Sequence, residues 1–322
     1  MAIHSISAEA PPNSESRIPN PDNPVEYPPV FPYHTAMKNL YQDHKPPVPP
    51  VGTLVCIPGV NSGAYLMEGA VQALGQAWRV VLANPPGTGD VPLPMPLTVQ
   101  GYAQQVWDTL HSIGVTGPVV LLGHSLGGYA AQEMARLRPR QVQRLILAST
   151  SMGQPDTAAD MSLMARKLGM NFWEMQQLNI NQPEEGQKKL FGPGFAEREP
   201  EVFAWFMQQR NANMPPHAAS LAQLTAGGAF TSRAWARSIE TPTLVVHGTA
   251  DIMVSARSGS RLAQALPNAT WLALHNVGHF PMLEHPHFWR YVAAYAQGGS
   301  LGEQPARGTS LLHRLWQRVM GG

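Results

Sequence analysis

Two rhythms of apolar residues alternate along this 322-residue chain. Short, mainly apolar or β-branched runs occur at 53–57 (TLVCI), 78–83 (WRVVLA), 118–123 (PVVLLG), 144–149 (RLILAS), 243–248 (TLVVHG) and 270–275 (TWLALH). Their length and lack of polar alternation predict strands buried on both faces. Between them lie segments with helical spacing. Leu66, Ala70, Val71 and Leu74 mark one over 64–76; Val99, Tyr102, Val106 and Leu110 mark another over 98–113, with Thr98 placed to cap it. Further helices are predicted over 126–138, which Pro139 stops, over 256–266 and over 285–296. Buried strands alternating with amphipathic helices predict the α/β class, a mostly parallel sheet covered by helices.

The alternation stops at residue 150 and resumes at 241. Residues 151–240 carry only short helix-like pieces separated by Gly and Pro. We expect a helical lid inserted after the sixth strand, over the carboxyl ends of the strands where ligands bind in open α/β sheets. The core is then 51–150 with 241–297. Twelve of 31 prolines fall in residues 1–50, which read as an extended N-terminal arm whose one strand candidate, a short edge hairpin, is Tyr33–Gln42. The alternative for this arm is a leader without function. Residues 298–310 read as a flexible linker. Residues 311–320 (LLHRLWQRVM) form an amphipathic tail helix that docks on protein or lies on a membrane or granule surface.

Composition narrows the classes. The formal charge is +1, which argues against nucleic acid as the main partner, because phosphate binding needs a concentrated basic surface. The single cysteine, Cys56, rules out an internal disulfide framework and cysteine-based zinc or iron–sulfur sites. No apolar run approaches the ~20 residues of a membrane span, and MAIHSISAEAPPNSES lacks the features of a secretory signal. We therefore expect a cytoplasmic protein.

The chemistry centres on Gly123-His124-Ser125-Leu126-Gly127-Gly128, a G-x-S-x-G pattern between an apolar run and a helix. So tight a turn needs glycines beside the serine, and the following helix start points free N–H groups at developing negative charge. The serine hydroxyl needs a base. Of 12 histidines, His279 in NVGHFP stands in a loop before the last helix, from which it can reach Ser125. His124 belongs to the turn itself, His247 to a strand interior, His275 to a strand end, and His285 and His287 to the start of the last helix. The carboxylate that would hold His279 is Asp251, just past the run 243–248, in preference to Asp90. The N–H groups of Val60 and Leu126 are the candidate oxyanion donors. Asn61 and Ser62 either add side-chain hydrogen bonds there or only shape the turn. No cofactor and no metal is called for.

The segments IPGVNSG, NPPGTGD, LLGHSLGGYAAQEMA, RLILAST, TLVVHGTAD and NVGHFPMLEHP resemble those of α/β-hydrolase fold proteins over roughly residues 50–297. Members often carry His-Gly after the first core strand, whereas this chain has Pro58-Gly59. The order Ser125, Asp251, His279 is that of the fold. The resemblance implies a serine carboxylic-ester hydrolase of the esterase or lipase branch, since dehalogenases and epoxide hydrolases use aspartate at the position of Ser125. The substrate expected is a small hydrophobic ester, thioester or lactone. The segment 151–240 holds seven of 15 methionines and nine Phe or Trp residues. Met152, Met161, Met164, Phe172 and Trp173, with Asn61, are the candidate substrate contacts, the alternative being a small core of the lid's own. Other readings are a polyester or polyhydroxyalkanoate depolymerase, an acyltransferase, and a non-enzymatic ligand sensor.

Overall fold

The computed structural model describes residues 41–299, apart from the side chains of residues 172, 173, 176, 179 and 180. The arm as far as residue 40, the linker beyond residue 299 and the tail helix 311–320 lie outside the described residues. So does most of the strand expected over Tyr33–Gln42, of which only the last two residues fall in β1.

Seven strands form one sheet: β1 (Tyr41–His44), β2 (Thr53–Ile57), β3 (Arg79–Ala83), β4 (Val119–His124), β5 (Val142–Ala148), β6 (Thr243–Gly248) and β7 (Ala269–Leu274). Their order is β1-β3-β2-β4-β5-β6-β7; β1 runs antiparallel to β3 and every other pair is parallel. The strand period of two sorts the side chains into two layers. Leu54, Cys56, Leu82, Leu122, Ile146 and Val246 point to one face, Val55, Ile57, Val81, Leu121, Leu147 and Val245 to the other. Cys56 is wholly buried there, and burial pushes its thiol pKa far up, so it is a packing residue.

Helices α1 (Gly69–Leu74) and α12 (Phe288–Ala296) cover the first face. Helices α2 (Val99–Ser112), α3 (Leu126–Leu137) and α10 (Ala256–Ala265) cover the second. Thr98 caps α2 as expected, accepting the Gly101 N–H at 2.9 Å. Two predicted helices break. The segment 64–76 opens with a 3₁₀ turn before α1, and 285–296 shortens to α12 behind the four-residue α11 (Pro281–Glu284). Pro286 disfavours helical backbone at His285, so the last helix begins only at Phe288.

Helices α4 (Asp156–Leu168), α5 (Phe172–Asn181), α6 (Pro183–Lys188), α7 (Phe195–Arg198), α8 (Pro200–Ala212) and α9 (His217–Ala229) lie between β5 and β6. The helical segment thus follows the fifth strand of the described residues and not the sixth, because a single strand, β1, precedes Thr53 among them. Phe191, Phe195, Phe203, Phe206 and Met207 of this segment join the core layer on the β2–Cys56 face, while Met152, Ala222, Ala226 and Phe230 join the other. Among the described residues no helix is long and apolar enough to cross a membrane.

Candidate active site

Ser125 stands between the end of β4 and the start of α3 with φ 53° and ψ −120°. A non-glycine residue in this region costs ~1–3 kcal/mol and persists only when its surroundings hold it. They do. The Ser125 N–H donates to Ala148 O at 3.0 Å, and its carbonyl accepts from the Gly128 N–H at 2.9 Å and from the Thr150 hydroxyl at 2.9 Å. The glycines of the pattern are required by close approach. A Cβ at Gly123 would lie 2.4 Å from Gly127 O, and one at Gly127 2.0 Å from Ile57 O.

The loop after β2 runs beside this turn, since a Cβ on Gly59 would meet the Ser125 Cβ at 2.9 Å. Neither the Val60 N–H nor the Leu126 N–H has a hydrogen-bond partner among the described residues. The Asn61 N–H, by contrast, is taken by Gln223 Oε1 at 2.9 Å. The Ser62 hydroxyl turns inward and donates to Val60 O at 3.1 Å, so it shapes the turn.

His279 and Asp251 meet as the sequence suggests. His279 Nδ1 donates to Asp251 Oδ2 at 2.8 Å, and both residues are buried. That bond leaves Nε2 as the basic nitrogen. Oδ1 of Asp251 accepts the N–H groups of Met253 (2.8 Å) and Val254 (3.0 Å). Burial alone would raise this carboxyl pKa. The His279 charge and the hydrogen bonds from His247 and His279 outweigh it and hold the pKa well below the usual carboxylate range.

Several groups around this pair gave no local signal. His247 is packed in β6 as expected, but its Nε2 donates to Val254 O (2.8 Å) and lies 3.4 Å from Asp251 Oδ2. His124 sits buried beneath the serine turn. Its Nε2 donates to the His279 carbonyl at 2.8 Å and its ring lies 4.8 Å from the His279 ring. Burial, then the neighbouring His279 charge, lower the His124 pKa to about 3. Glu284 accepts three backbone N–H groups, from Gly192 (2.6 Å), Gly278 (2.8 Å) and Phe280 (3.0 Å). The His279 N–H donates to Leu190 O at 2.7 Å. The loop carrying His279 is therefore zipped to the segment after α6. Glu284 lies within the NVGHFPMLEHP motif, but only the fold reveals its partners.

The remaining histidines and Asp90 do not join this group. His275 and Asp90 are exposed, and His285 and His287 pair with Tyr291 at the start of α12. The candidate substrate residues separate. Met152 is buried with Leu126, Tyr129 and Phe230, and Met164 in the other layer with Phe206 and Phe280. Met161 is half-buried on α4, Asn61 lies in the loop after β2, and the side chains of Phe172 and Trp173 lie outside the described residues.

Comparison with known proteins follows the same outline. The family described as alpha/beta hydrolase fold matches residues 52–286. The chain is 28% identical over 235 residues to the polyketide synthase ThaQ of Burkholderia thailandensis, covering 72% of this chain but only 11% of that much longer protein. It is 27% identical over 239 residues to a protein named as a carbamate hydrolase in Pseudomonas savastanoi, covering 72% of this chain and 88% of the other. A poly(3-hydroxyalkanoate) depolymerase of Ectopseudomonas oleovorans is 25% identical over 277 residues, covering 82% and 92%.

Proposed function

Because the chain belongs to the alpha/beta hydrolase fold family, we propose that it is a serine hydrolase that cleaves a carboxylic ester through a covalent acyl-enzyme. The observation that carries this reading is the buried 2.8 Å bond from His279 Nδ1 to Asp251, two loops away from a serine held at φ 53° in a glycine-flanked turn.

The steps follow from those groups. Ser125 Oγ attacks the ester carbonyl while His279 Nε2 takes its proton. Asp251, kept ionised, stabilises the imidazolium and holds its Nδ1–H tautomer. The carbonyl electrons move onto oxygen, and the free N–H groups of Val60 and Leu126 hold that oxyanion. His279 then returns the proton to the departing alkoxide, leaving the acyl group on Ser125. Water, deprotonated by the same Nε2, then adds to the acyl carbonyl; the bond to Ser125 Oγ breaks, Oγ takes the proton back from His279, and the acid leaves.

The composition of the helical segment, which in this reading is the lid, favours an apolar substrate: residues 151–240 hold seven of the 15 methionines and nine Phe or Trp residues. A fluorophosphonate probe should label the wild type at Ser125 and leave Ser125→Ala untouched; equal labelling of both would sink the reading. Among p-nitrophenyl esters from acetate to palmitate, a preference for acetate would remove the apolar substrate. The depolymerase relative favours a second reading, in which the ester is part of a polymer. Release of soluble acid from polyhydroxyalkanoate granules distinguishes the two.

A further inference from the structure

Gln223 is a fully buried amide on an otherwise apolar stripe of α9, whose other buried residues are Ala219, Ala222 and Ala226. A buried polar side chain persists only when its hydrogen-bonding groups are matched. Its Oε1 accepts the Asn61 N–H at 2.9 Å, and its Nε2 donates to Pro86 O at 2.8 Å with Thr88 Oγ1 at 3.4 Å. One side chain from the helical segment thus joins the loop after β2 to the turn after β3, across 162 and 137 residues of sequence.

The contact falls at a decisive place. Asn61 has φ 53°, a backbone conformation that needs external support in a non-glycine residue. The peptide between Val60 and Asn61 is held at both ends, its N–H by Gln223 and its C=O by the Ser62 hydroxyl. Fixing that peptide plane fixes the backbone of Val60, whose own N–H is the free donor beside Ser125. Resting on the serine-hydrolase reading above, we infer that Gln223 is a positioning residue for the oxyanion hole, so that the helical segment completes the catalytic machinery as well as enclosing it. A preorganised donor is worth most where charge develops, in the tetrahedral intermediate.

Gln223→Met keeps the length and removes both hydrogen bonds. It should lower kcat on a p-nitrophenyl ester by ~10- to 100-fold with KM within about threefold, because the lost interaction is specific to the transition state. Binding of an alkyl trifluoromethyl ketone, whose adduct on serine places an oxyanion in the hole, should weaken in step with kcat/KM. Leu221→Ala, on the exposed face of the same helix, should change neither quantity. Gln223→Glu gives an independent check: a protonated carboxyl can accept from Asn61 and donate to Pro86, whereas a carboxylate cannot donate. Its kcat/KM, divided by that of the wild type, should therefore rise as pH falls. Unchanged ketone affinity in Gln223→Met, a loss carried by KM alone, or a flat ratio in Gln223→Glu overturns the assignment of Gln223. If the wild type itself neither binds the ketone nor reacts with a fluorophosphonate, the serine-hydrolase reading fails first and takes this one with it.

Discussion

Ser125 and Asp251 are each held within a few residues of the strand end that carries them, whereas Leu190, Gly192 and Gln223 reach the same site, the His279 loop included, from a helical segment far away in sequence. The first group is positioned by tight local turns: a serine at φ 53°, an aspartate bonded to the N–H groups two and three residues on. The second acts through backbone contacts that exist only once the two regions have packed. Removing a group from the sheet loops should therefore stop chemistry in a folded protein. Removing one from the helical segment should degrade geometry, stability or both.

The largest effect is expected on the sheet side. Asp251→Asn preserves shape but offers His279 an amide in place of a charge, favouring the wrong tautomer. In the proposed mechanism kcat should fall by ~10⁴-fold, as in serine triads generally, with KM little changed. Ester hydrolysis within tenfold of the wild type would show that this pair is not the catalytic one.

Next comes the packing of the helical segment. Phe206 is buried at the junction of Phe191, Phe203 and Phe280, within the same core layer as the sheet. Phe206→Ala should cost ~3–5 kcal/mol of unfolding free energy, read from urea or thermal unfolding. A loss below ~1 kcal/mol would mean that this segment is not an integral part of the core.

Acid tests the two regions differently. His124 and His285 have folded pKa values lowered to about 3 and about 4, in both cases first by burial. In the unfolded chain they titrate near 6.5. The unfolded state therefore binds more protons at these two sites below pH 6.5, and their contribution to stability should fall as pH drops from there toward the folded values, against one opposite contribution from Glu68, whose carboxyl pKa burial raises to about 7. The slope is ~1.4 kcal/mol per pH unit for each group in that window. Asp251, whose pKa is depressed, adds a loss of the same sign at still lower pH. His124 ends β4, Asp251 follows β6 and His285 follows α11, whereas in 151–240 the one histidine, His217, is exposed and the carboxyl of Asp160 has its pKa raised by burial, a shift of opposite sign. Urea midpoints should fall from pH 6 to pH 5. His124→Gln should flatten the trend, and an unchanged slope would refute it.

Legibility in the sequence divides along the same line. Six strands, the capped α2 and the three residues at the strand ends are readable because each follows from a local rule: apolar runs, helical spacing, a glycine-flanked serine. The split of the last helix follows from Pro286, a local signal that helical spacing alone overrode. Gln223, Leu190 and Gly192 left no trace, since an amide among alanines or a carbonyl in a loop has meaning only beside its distant partner. The methionines illustrate the limit. Met152 and Met164 share a composition signal, yet they lie in opposite core layers.

The smallest effect bears most directly on the link between the two regions. Glu284 belongs to α11, but one of its three N–H donors, Gly192, comes from the helical segment, while the other two, Gly278 and Phe280, flank His279. Burial raises its pKa, and those three N–H groups oppose the rise. Only an acceptor on both oxygens satisfies all three donors. In Glu284→Gln the amide oxygen can take two of them, and the NH₂ then faces an N–H of its own kind. An unmatched buried donor costs ~1–3 kcal/mol, which is the expected loss of stability. The kinetic consequence separates two roles for the clamp. If it positions His279, kcat should fall by more than the stability loss explains in fully folded enzyme, and Glu284→Asp should not restore it, being one methylene too short to span from α11 to Gly192. If kcat is unchanged in Glu284→Gln while the unfolding midpoint drops, the clamp holds the helical segment to the sheet without tuning the base, and the two regions are coupled in stability alone.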